Sequence, residues 1–280
     1  MSDRPIETRS VDDVLQIESY PTEFGGHVLL WRLDRPDGGN AISLALLGAL
    51  ETAIETAATE LAGEHGTDAR ALIIAGGERF FCTGADLKER AGMSPDAVHD
   101  FLNRLNALLV HIEALAVPVI AAIRGYALGG GMELALACDL RLAGDRAQLG
   151  LPETSLGIIP GAGGTQRLSR AIGLPRAKEL IFTAARIDAE RALHLGVVNA
   201  VHPDAELESA ALDLARATIA RNAPIALRQA KRALNQGYDV GLAEAIAIER
   251  EAYAVTIPTK DRVEALAAFR EKRPPRFRGA

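Results

Sequence analysis

Residues 117–143 read Val-Pro-Val-Ile-Ala-Ala-Ile-Arg-Gly-Tyr-Ala-Leu-Gly-Gly-Gly-Met-Glu-Leu-Ala-Leu-Ala-Cys-Asp-Leu-Arg-Leu-Ala. The apolar run from Val117 to Ile123 predicts a buried strand. The loop from Gly125 to Gly131 leads into a predicted short helix from Met132 to Ala137, and a second short strand follows from Asp139 to Ala143. This order of strand, glycine-rich turn, helix and strand indicates an α/β protein.

The same alternation continues on the N-terminal side of this segment. We predict strands at His27–Asp34 and Ala71–Ala75, each followed by turn residues and then by a helical pattern. The two helices are predicted at Ser43–Glu64, with Ser43 as the N-cap, and at Pro95–Leu115. Two rounds of the same pattern strengthen the α/β assignment.

The C-terminal quarter of the chain consists almost entirely of helix-forming residues. It predicts four helices, at Glu206–Ala220, Pro224–Asn235, Leu242–Ala254 and Asp261–Arg270. We therefore divide the chain into an α/β core, residues 1–203, and a helical region, residues 204–280. The first 18 residues of the core are expected to be weakly ordered. The helical region is too short for a core of its own, so we expect it to pack on the body or on another subunit.

The composition excludes several classes of protein. Of the 280 residues, 48% are hydrophobic and 24% are charged, which excludes wholesale disorder. Cys82 and Cys138 are too few for a disulfide framework. The longest apolar run, Ala114–Ile123, is interrupted by Pro118 and is far shorter than the roughly 20 residues that span a bilayer. The net charge of −6, and the absence of Lys and Arg from residues 43–64, argue against nucleic acid and membranes as partners. We expect a cytoplasmic protein.

Two glycine-rich segments invite a nucleotide-binding interpretation, but neither fits it. Gly129-Gly-Gly131 lacks the third glycine of a dinucleotide fingerprint, and Gly161-Ala-Gly-Gly-Thr165 lacks the Gly-Lys-Ser/Thr of a phosphate loop. The sequence contains no His-Glu-x-x-His, no Cys-x-x-Cys and no Gly-x-Ser-x-Gly. Neither a metal site nor a hydrolase triad is therefore predicted.

Glycines also stand at two predicted helix starts, in Gly84-Ala85 and in Gly129-Gly130. Backbone N–H groups at a helix start have no partner within the helix, and glycine lets a ligand approach them closely. If the two segments converge, the amides of Ala85 and Gly130 would stabilise a developing oxyanion. Each segment taken alone is also compatible with a tight turn followed by a helix cap.

Two acids, Glu133 and Glu153, are flanked by apolar residues. Burying a carboxylate is unfavourable in free energy, so a buried carboxylate is expected to have a bonding partner or a catalytic role. The short helix and strand between the two acids allow the chain to fold back and bring them together. Two carboxylates at one site would raise the pKa of one of them, which provides an acid and a base near neutral pH. The alternatives are a surface acid that compensates the helix dipole at Glu133 and a simple loop acid at Glu153.

Taken together, these segments resemble the enoyl-CoA hydratase/isomerase (crotonase) family over residues 25–278, nearly the whole chain. The residues that carry the resemblance are Phe81–Glu89, Gly125–Asp139, Leu149–Glu153 and Leu156–Leu168. The segments Thr256–Arg262 and Ala268–Pro275 are most similar to the methylglutaconyl-CoA hydratase branch of that family.

The resemblance implies a fold, an assembly and a ligand. The fold is a crotonase-like spiral of ββα units with a helical C-terminal trimerisation region. The assembly is a trimer or a dimer of trimers. The partner is an acyl-CoA substrate, of which coenzyme A is a part, and the reaction needs neither a metal nor a redox cofactor.

The resemblance also implies the site residues. The oxyanion hole falls on the backbone amides of Ala85 and Gly130, the catalytic acids on Glu133 and Glu153, and the water-contacting glycine on Gly161. Because the chain keeps both acids, the implied activity is that of an enoyl-CoA hydratase, which reversibly adds water across the 2,3 double bond of a 2-enoyl-CoA. A methylglutaconyl-CoA hydratase of leucine breakdown, an enoyl-CoA isomerase and a retro-aldol lyase are the alternatives.

Contacts to coenzyme A are expected from Lys88, Phe269 and Lys272. Lys88 follows the first oxyanion segment, as does Arg90. Phe269 and Lys272 lie in the region that, in relatives, reaches the CoA of a neighbouring subunit. After the Arg35-Pro36 turn, where relatives often carry a lysine, this chain has none.

The wall of the acyl pocket is expected to include residues near Met93 and Phe101. A branched acidic acyl group would need a cation near this wall, and the sequence pattern does not assign one.

Overall fold

A seven-stranded sheet forms the centre of the fold, seen in a computed structural model that describes residues 4–62 and 69–280. The strands are β1 (Glu7–Val11), β2 (Leu15–Pro21), β3 (His27–Leu33), β4 (Ala69–Ala75), β5 (Phe80–Cys82), β6 (Val119–Ile123), β7 (Tyr126–Leu128), β8 (Leu140–Gly144), β9 (Gln148–Gly150), β10 (Arg186–Asp188) and β11 (Ala200–His202). The helices are α1 (Leu44–Ala62), α2 (Leu87–Ala91), α3 (Pro95–Ala114), α4 (Gly130–Leu136), α5 (Gly164–Ile172), α6 (Leu174–Phe182), α7 (Ala189–Leu195), α8 (Leu207–Asp213), α9 (Pro224–Gly237), α10 (Leu242–Thr256) and α11 (Lys260–Glu271).

From β4 to β9, consecutive strands alternate between two sheets. The large sheet has the order β1-β2-β3-β4-β6-β8-β11, and the small sheet has the order β10-β9-β7-β5. From β4 onward, the first strand of each consecutive pair (β4, β6, β8) joins the large sheet in parallel, and the second (β5, β7, β9) joins the small sheet in parallel. Helices follow each pair. This repeat is the predicted spiral of ββα units, so the α/β fold class is confirmed.

The central strands are buried on both faces. In β4, Leu72 and Ile74 belong to the larger apolar cluster, which also holds residues of α1 and α3, whereas Ala71 and Ile73 belong to a second cluster under α8. Successive side chains of a strand point to opposite faces. A parallel strand covered on both sides therefore has a nearly continuous apolar sequence, as β4 does from Ala71 to Ala75.

The N-terminal residues form strands, so the expectation that residues 1–18 are weakly ordered is wrong from Glu7 onward. β2 pairs with β3 in antiparallel register, and its Leu15 and Ile17 are buried in the larger cluster. β1 pairs with β2 at the sheet edge and is mostly exposed. A polar edge strand is hard to recognise in sequence because its stability comes from backbone pairing rather than from burial. Residues 1–3 lie outside the described residues.

Helix α1 begins where the capping residue predicts. The Ser43 hydroxyl accepts a hydrogen bond from the Leu46 amide at 3.1 Å, which satisfies one of the free N–H groups of the first turn. Its predicted end at Glu64 lies outside the described residues.

The C-terminal helices differ in how they pack. Helix α8 and the π-helical turn Leu214–Ile219 that continues it cover the large sheet, where Leu207 and Ala215 are fully buried. Only α9, α10 and α11 are largely exposed. The change from body to projecting helices therefore falls after Ala220 rather than at the predicted boundary near residue 204.

Candidate active site

The first element of the site is the turn that follows β5. Gly84 has φ +94°, and its carbonyl accepts a hydrogen bond from the Ile42 amide at 2.7 Å, while the Asp86 amide donates to the Ile42 carbonyl at 3.1 Å. These two bonds fix Ala85 between them. Asp86 then caps α2 with its carboxylate, which accepts from the backbone amides of Lys88 and Glu89.

The second element is the start of α4, which packs tightly against this turn. The Gly129 amide donates to the Gly150 carbonyl at 3.0 Å. Gly131 lies so close to the Cys82 carbonyl that a Cβ would overlap it, and a Cβ on Gly84 would lie 3.2 Å from the Gly130 nitrogen. Glycine is therefore required for the two segments to approach each other.

This approach brings the two predicted oxyanion donors to one place. In the described part of the chain, the amides of Ala85 and Gly130 donate to no acceptor. Free, converging backbone N–H groups of this kind can stabilise a negatively charged oxygen.

Glu133, on α4, is 2% exposed and is held by the loop at residues 160–164. Its Oε1 accepts hydrogen bonds from the amides of Ala162 and Gly164, at 2.8 and 2.7 Å. Burial raises the pKa of Glu133, and these two hydrogen bonds and the charge of Arg167 act in the opposite direction. The two backbone hydrogen bonds thus fix the orientation of the carboxyl, and burial keeps its pKa above the ordinary value.

Glu153 occupies the 3₁₀ turn Pro152–Leu156 and is 8% exposed. Its Oε2 is buried and has no hydrogen-bond partner among the residues described. Its Oε1 lies next to Gly129, 3.1 Å from where a Cβ would stand. Burial, together with repulsion from Glu133, raises the pKa of Glu153 to about 7. The two acids therefore share one site, and Glu153 is half protonated near neutral pH.

The loop at residues 160–164 completes the site. The Asn106 side chain, on α3, donates to the carbonyls of Leu102 and Gly161, at 2.9 and 2.7 Å. On the other side, Arg167 donates to the Ala162 carbonyl at 2.7 Å and forms two hydrogen bonds with Glu113. Helices α3 and α5 thus fix the loop that carries Gly161 and the two amides that hold Glu133.

These elements surround one cavity of about 610 Å³. The predicted site residues that line it are Ala85, Gly130, Glu133, Glu153 and Gly161. Its apolar wall includes the predicted Phe101, together with Leu87, Val98, Leu102, Leu105, Leu156, Ile158 and Ile159. Met93 packs on the core and does not line the cavity.

The three predicted CoA contacts lie apart from this cavity within one protomer. Lys88 is exposed on α2. Phe269 is 86% exposed on α11, and Lys272 ends that helix in a left-handed conformation with φ +55°. These contacts stay predictions.

Two residues of the site were not identified from the sequence. Asn106 sits in a regular helical pattern, and nothing in that pattern indicates that its amide reaches Gly161, 55 positions away. The sequence pattern indicates Arg90 only as a charge after Lys88, whereas its side chain lines the cavity and stacks on Phe101, with 5.1 Å from Cζ to the ring centroid.

Two other features are absent from residues 4–62 and 69–280. No group of three or more His, Cys, Asp and Glu side chains is arranged to hold a metal ion. No helix there has the length and apolar character needed to cross a membrane.

The chain is similar to known sequences and structures over almost its full length. The family model Enoyl-CoA hydratase/isomerase matches residues 23–280. Methylglutaconyl-CoA hydratase, mitochondrial, from Homo sapiens is 46% identical over 273 residues, which cover 96% of this chain and 78% of the relative. Enoyl-CoA hydratase domain-containing protein 2, mitochondrial, also from Homo sapiens, is 47% identical over 251 residues, 88% of this chain and 84% of the relative. A crystal structure of an enoyl-CoA hydratase from Bacillus anthracis matches with a TM-score of 0.89 at 45% identity, covering 95% of this chain and 100% of that one.

Proposed function

The chain belongs to the enoyl-CoA hydratase/isomerase family, and from this premise we propose that it is a hydro-lyase that reversibly adds water across the 2,3 double bond of a 2-enoyl-CoA thioester. The observation that carries the proposal is the pairing of two free backbone amides, of Ala85 and Gly130, with two buried carboxyls, of Glu133 and Glu153, in one cavity.

In the proposed reaction, the thioester oxygen accepts hydrogen bonds from the Ala85 and Gly130 amides. A water held by Glu133 and Glu153, and contacted by Gly161, adds to Cβ, while a proton goes to Cα. Negative charge develops on the thioester oxygen as the enolate forms, and the fixed N–H dipoles stabilise it. Loss of one such donor typically lowers the rate by about 10²–10³. Coenzyme A enters as part of the substrate, and the reaction uses no metal or redox cofactor.

The surroundings of the two acids support an assignment of roles. Glu133 accepts two backbone hydrogen bonds and lies in the field of Arg167, which favours its ionised form and suits a base toward water. Glu153, with a pKa of about 7, suits the donor of a proton to Cα. The reversed assignment is the alternative, because both acids would contact the same water.

Two other activities of the family are candidates for specific reasons. The 46% identity to human methylglutaconyl-CoA hydratase favours a branched acidic acyl group of leucine breakdown. The matching family model also includes isomerases, which move a double bond instead of adding water.

We also propose that the protein assembles as a trimer or a dimer of trimers. The projecting helices support this proposal, since they expose large apolar side chains, among them Leu234, Leu242 and Phe269. Its compartment stays a prediction: the sequence indicates the cytoplasm, whereas the names of the human relatives include the word mitochondrial.

The test of the proposed activity is an ultraviolet assay with crotonyl-CoA. A hydratase removes the conjugated double bond, so we expect the absorbance of the enoyl thioester to fall, and mass spectrometry to find a product heavier by one water. If the absorbance of crotonyl-CoA does not change, and the enzyme instead converts a 3-enoyl-CoA into the conjugated 2-enoyl-CoA, the protein is an isomerase and not a hydratase.

A further inference from the structure

The Arg90 side chain is a cation in the apolar part of the cavity without an anionic partner. Its Nη1 is buried and makes no hydrogen bond, and among the residues described no carboxylate forms an ion pair with the guanidinium. Burial lowers the pKa of Arg90, and no neighbouring acid raises it. Arg90 as a whole is half-buried, and a guanidinium nitrogen that is shielded from water without an acceptor is costly. Its presence in a ligand cavity therefore calls for an explanation.

The acids closest to Arg90 in sequence are already engaged elsewhere. Asp86 binds Arg35, with 3.1 Å between Oδ2 and Nη2, and caps α2 with its other oxygen. Glu89 accepts a hydrogen bond from the Leu44 amide at 2.8 Å. Both carboxylates therefore have partners other than Arg90.

Arg90 also does not serve the catalytic acids. The positive charge that lowers the pKa of Glu133 is that of Arg167, and Arg90 is not among the groups that shift the pKa of Glu133 or Glu153. Instead the guanidinium stacks on Phe101, in the wall formed by α2 and α3. The remaining neighbours in that wall, such as Leu87 and Val98, are apolar and offer it no acceptor.

We propose that Arg90 is the specificity-determining residue that binds a carboxylate at the far end of the acyl chain, so that the preferred substrates are 2-enoyl-CoA esters of dicarboxylic acids. This inference rests on the proposed hydratase function and names its substrate class. The guanidinium presents a planar set of donors that matches a carboxylate, and Phe101 holds that plane in place. A neutral acyl chain leaves the cation unpaired, which disfavours that substrate.

The experiment compares glutaconyl-CoA, which ends in a carboxylate, with crotonyl-CoA, which ends in a methyl group. We expect the wild-type enzyme to have the higher kcat/KM for glutaconyl-CoA. Arg90→Met should lower that value by about 10- to 100-fold, since a hydrogen-bonded charge pair is lost. The same substitution should not lower kcat/KM for crotonyl-CoA, because the neutral chain forms no pair with the guanidinium and is disfavoured by it. Arg90→Lys keeps the charge but not the planar pair of donors. Its kcat/KM for glutaconyl-CoA should therefore lie between the values of wild type and Arg90→Met.

Arg79 provides a matched control. It also stacks on a phenylalanine, Phe80, with 5.3 Å from Cζ to the ring centroid, but it is exposed and does not line the cavity. Arg79→Met should leave the ratio of the two kcat/KM values unchanged. An equal loss for both substrates in Arg90→Met would overturn the inference and indicate a contact to the CoA moiety.

A binding measurement separates failure of this inference from failure of the proposed function. Glutaryl-CoA and butyryl-CoA are saturated and cannot be hydrated, so calorimetry reports their affinities even if no hydration occurs. We expect tighter binding of glutaryl-CoA by wild type and loss of this preference in Arg90→Met. An enzyme that hydrates crotonyl-CoA yet binds both saturated esters equally well would retain its proposed function and refute the role of Arg90.

Discussion

Glu133 and Glu153 have the same side chain but differ in what surrounds them. Glu133 is fixed by two backbone amides, whereas Glu153 has a buried oxygen without a partner. Burial is the largest cause of both pKa shifts. Repulsion from Glu133 raises the pKa of Glu153 further. In the proposed reaction, the different roles of the two residues as acid and base would therefore arise from their hydrogen bonding and not from residue type.

The raised pKa of Glu153 predicts a pH-dependent cost in stability. Its pKa is about 7 in the folded protein against an ordinary value of 4.5, so between these values the unfolded chain binds fewer protons than the folded one. Rising pH therefore destabilises the folded state across this window. We expect Glu153→Gln to gain stability relative to wild type from pH 4.5 to pH 7, by up to about 3 kcal/mol.

Urea unfolding at a series of pH values measures this difference. Glu78→Gln, which neutralises an exposed acid outside the cavity, is the control and should show no comparable trend. A stability difference between Glu153→Gln and wild type that is constant with pH would refute the raised pKa.

At the scale of elements, two helices fix the loop at residues 160–164. Asn106 from α3 holds the Gly161 carbonyl, and Arg167 from α5 holds the Ala162 carbonyl. The loop in turn donates the hydrogen bonds that orient Glu133. Asn106 is thus a positioning residue that acts through the loop.

We expect Asn106→Ala to lower kcat by about 10- to 100-fold, because the loop loses one of the two side chains that hold it. KM should change little, because the oxyanion amides are not affected. Steady-state kinetics with crotonyl-CoA measure both constants. Asn103→Ala changes the same residue type on an exposed position of the same helix and should behave as wild type. Equal kcat values for the two variants would exclude the positioning role.

The elements that could be predicted from sequence are those in which a local pattern and burial agree. Helix α3 has strong apolar periodicity, β4 contains the continuous apolar run Ala71–Ala75, and the Ser43 cap marks the start of α1. Strand β1 could not be predicted because its hydrogen bonds come from pairing with β2. The contact of Asn106 with Gly161 was also inaccessible, since it depends on tertiary packing between distant segments. The acid pair was deduced only as one alternative, because spacing alone does not determine how the chain folds back.

At the scale of the molecule, the projecting helices leave apolar surface uncovered within one protomer. Leu242 is 78% exposed and Leu234 is 73% exposed. Exposed apolar patches of this kind usually mark contacts between proteins. The predicted CoA contacts at Phe269 and Lys272 belong to the same projecting region, which is where a second subunit would complete the binding site.

We expect light scattering to give the mass of a trimer or a dimer of trimers for wild type. Leu242→Lys places a charge on the apolar face and should shift the mass toward smaller species, since burying an unpaired charge opposes association. Ile6→Lys, at an exposed apolar position far along the chain, is the control. A monomeric wild-type protein at micromolar concentration would refute the proposed assembly.

The central claim is that Glu133 and Glu153 act on one water opposite the two oxyanion amides. Residues that act as a unit have strongly non-additive effects on rate. The most direct test is kcat for hydration of crotonyl-CoA by Glu133→Gln, Glu153→Gln and the double variant, with retained binding of a CoA ester as the check on folding. The account predicts that each single variant loses nearly all activity and that the double variant loses little more. Losses that multiply in the double variant, or a single variant with near wild-type kcat, would contradict it.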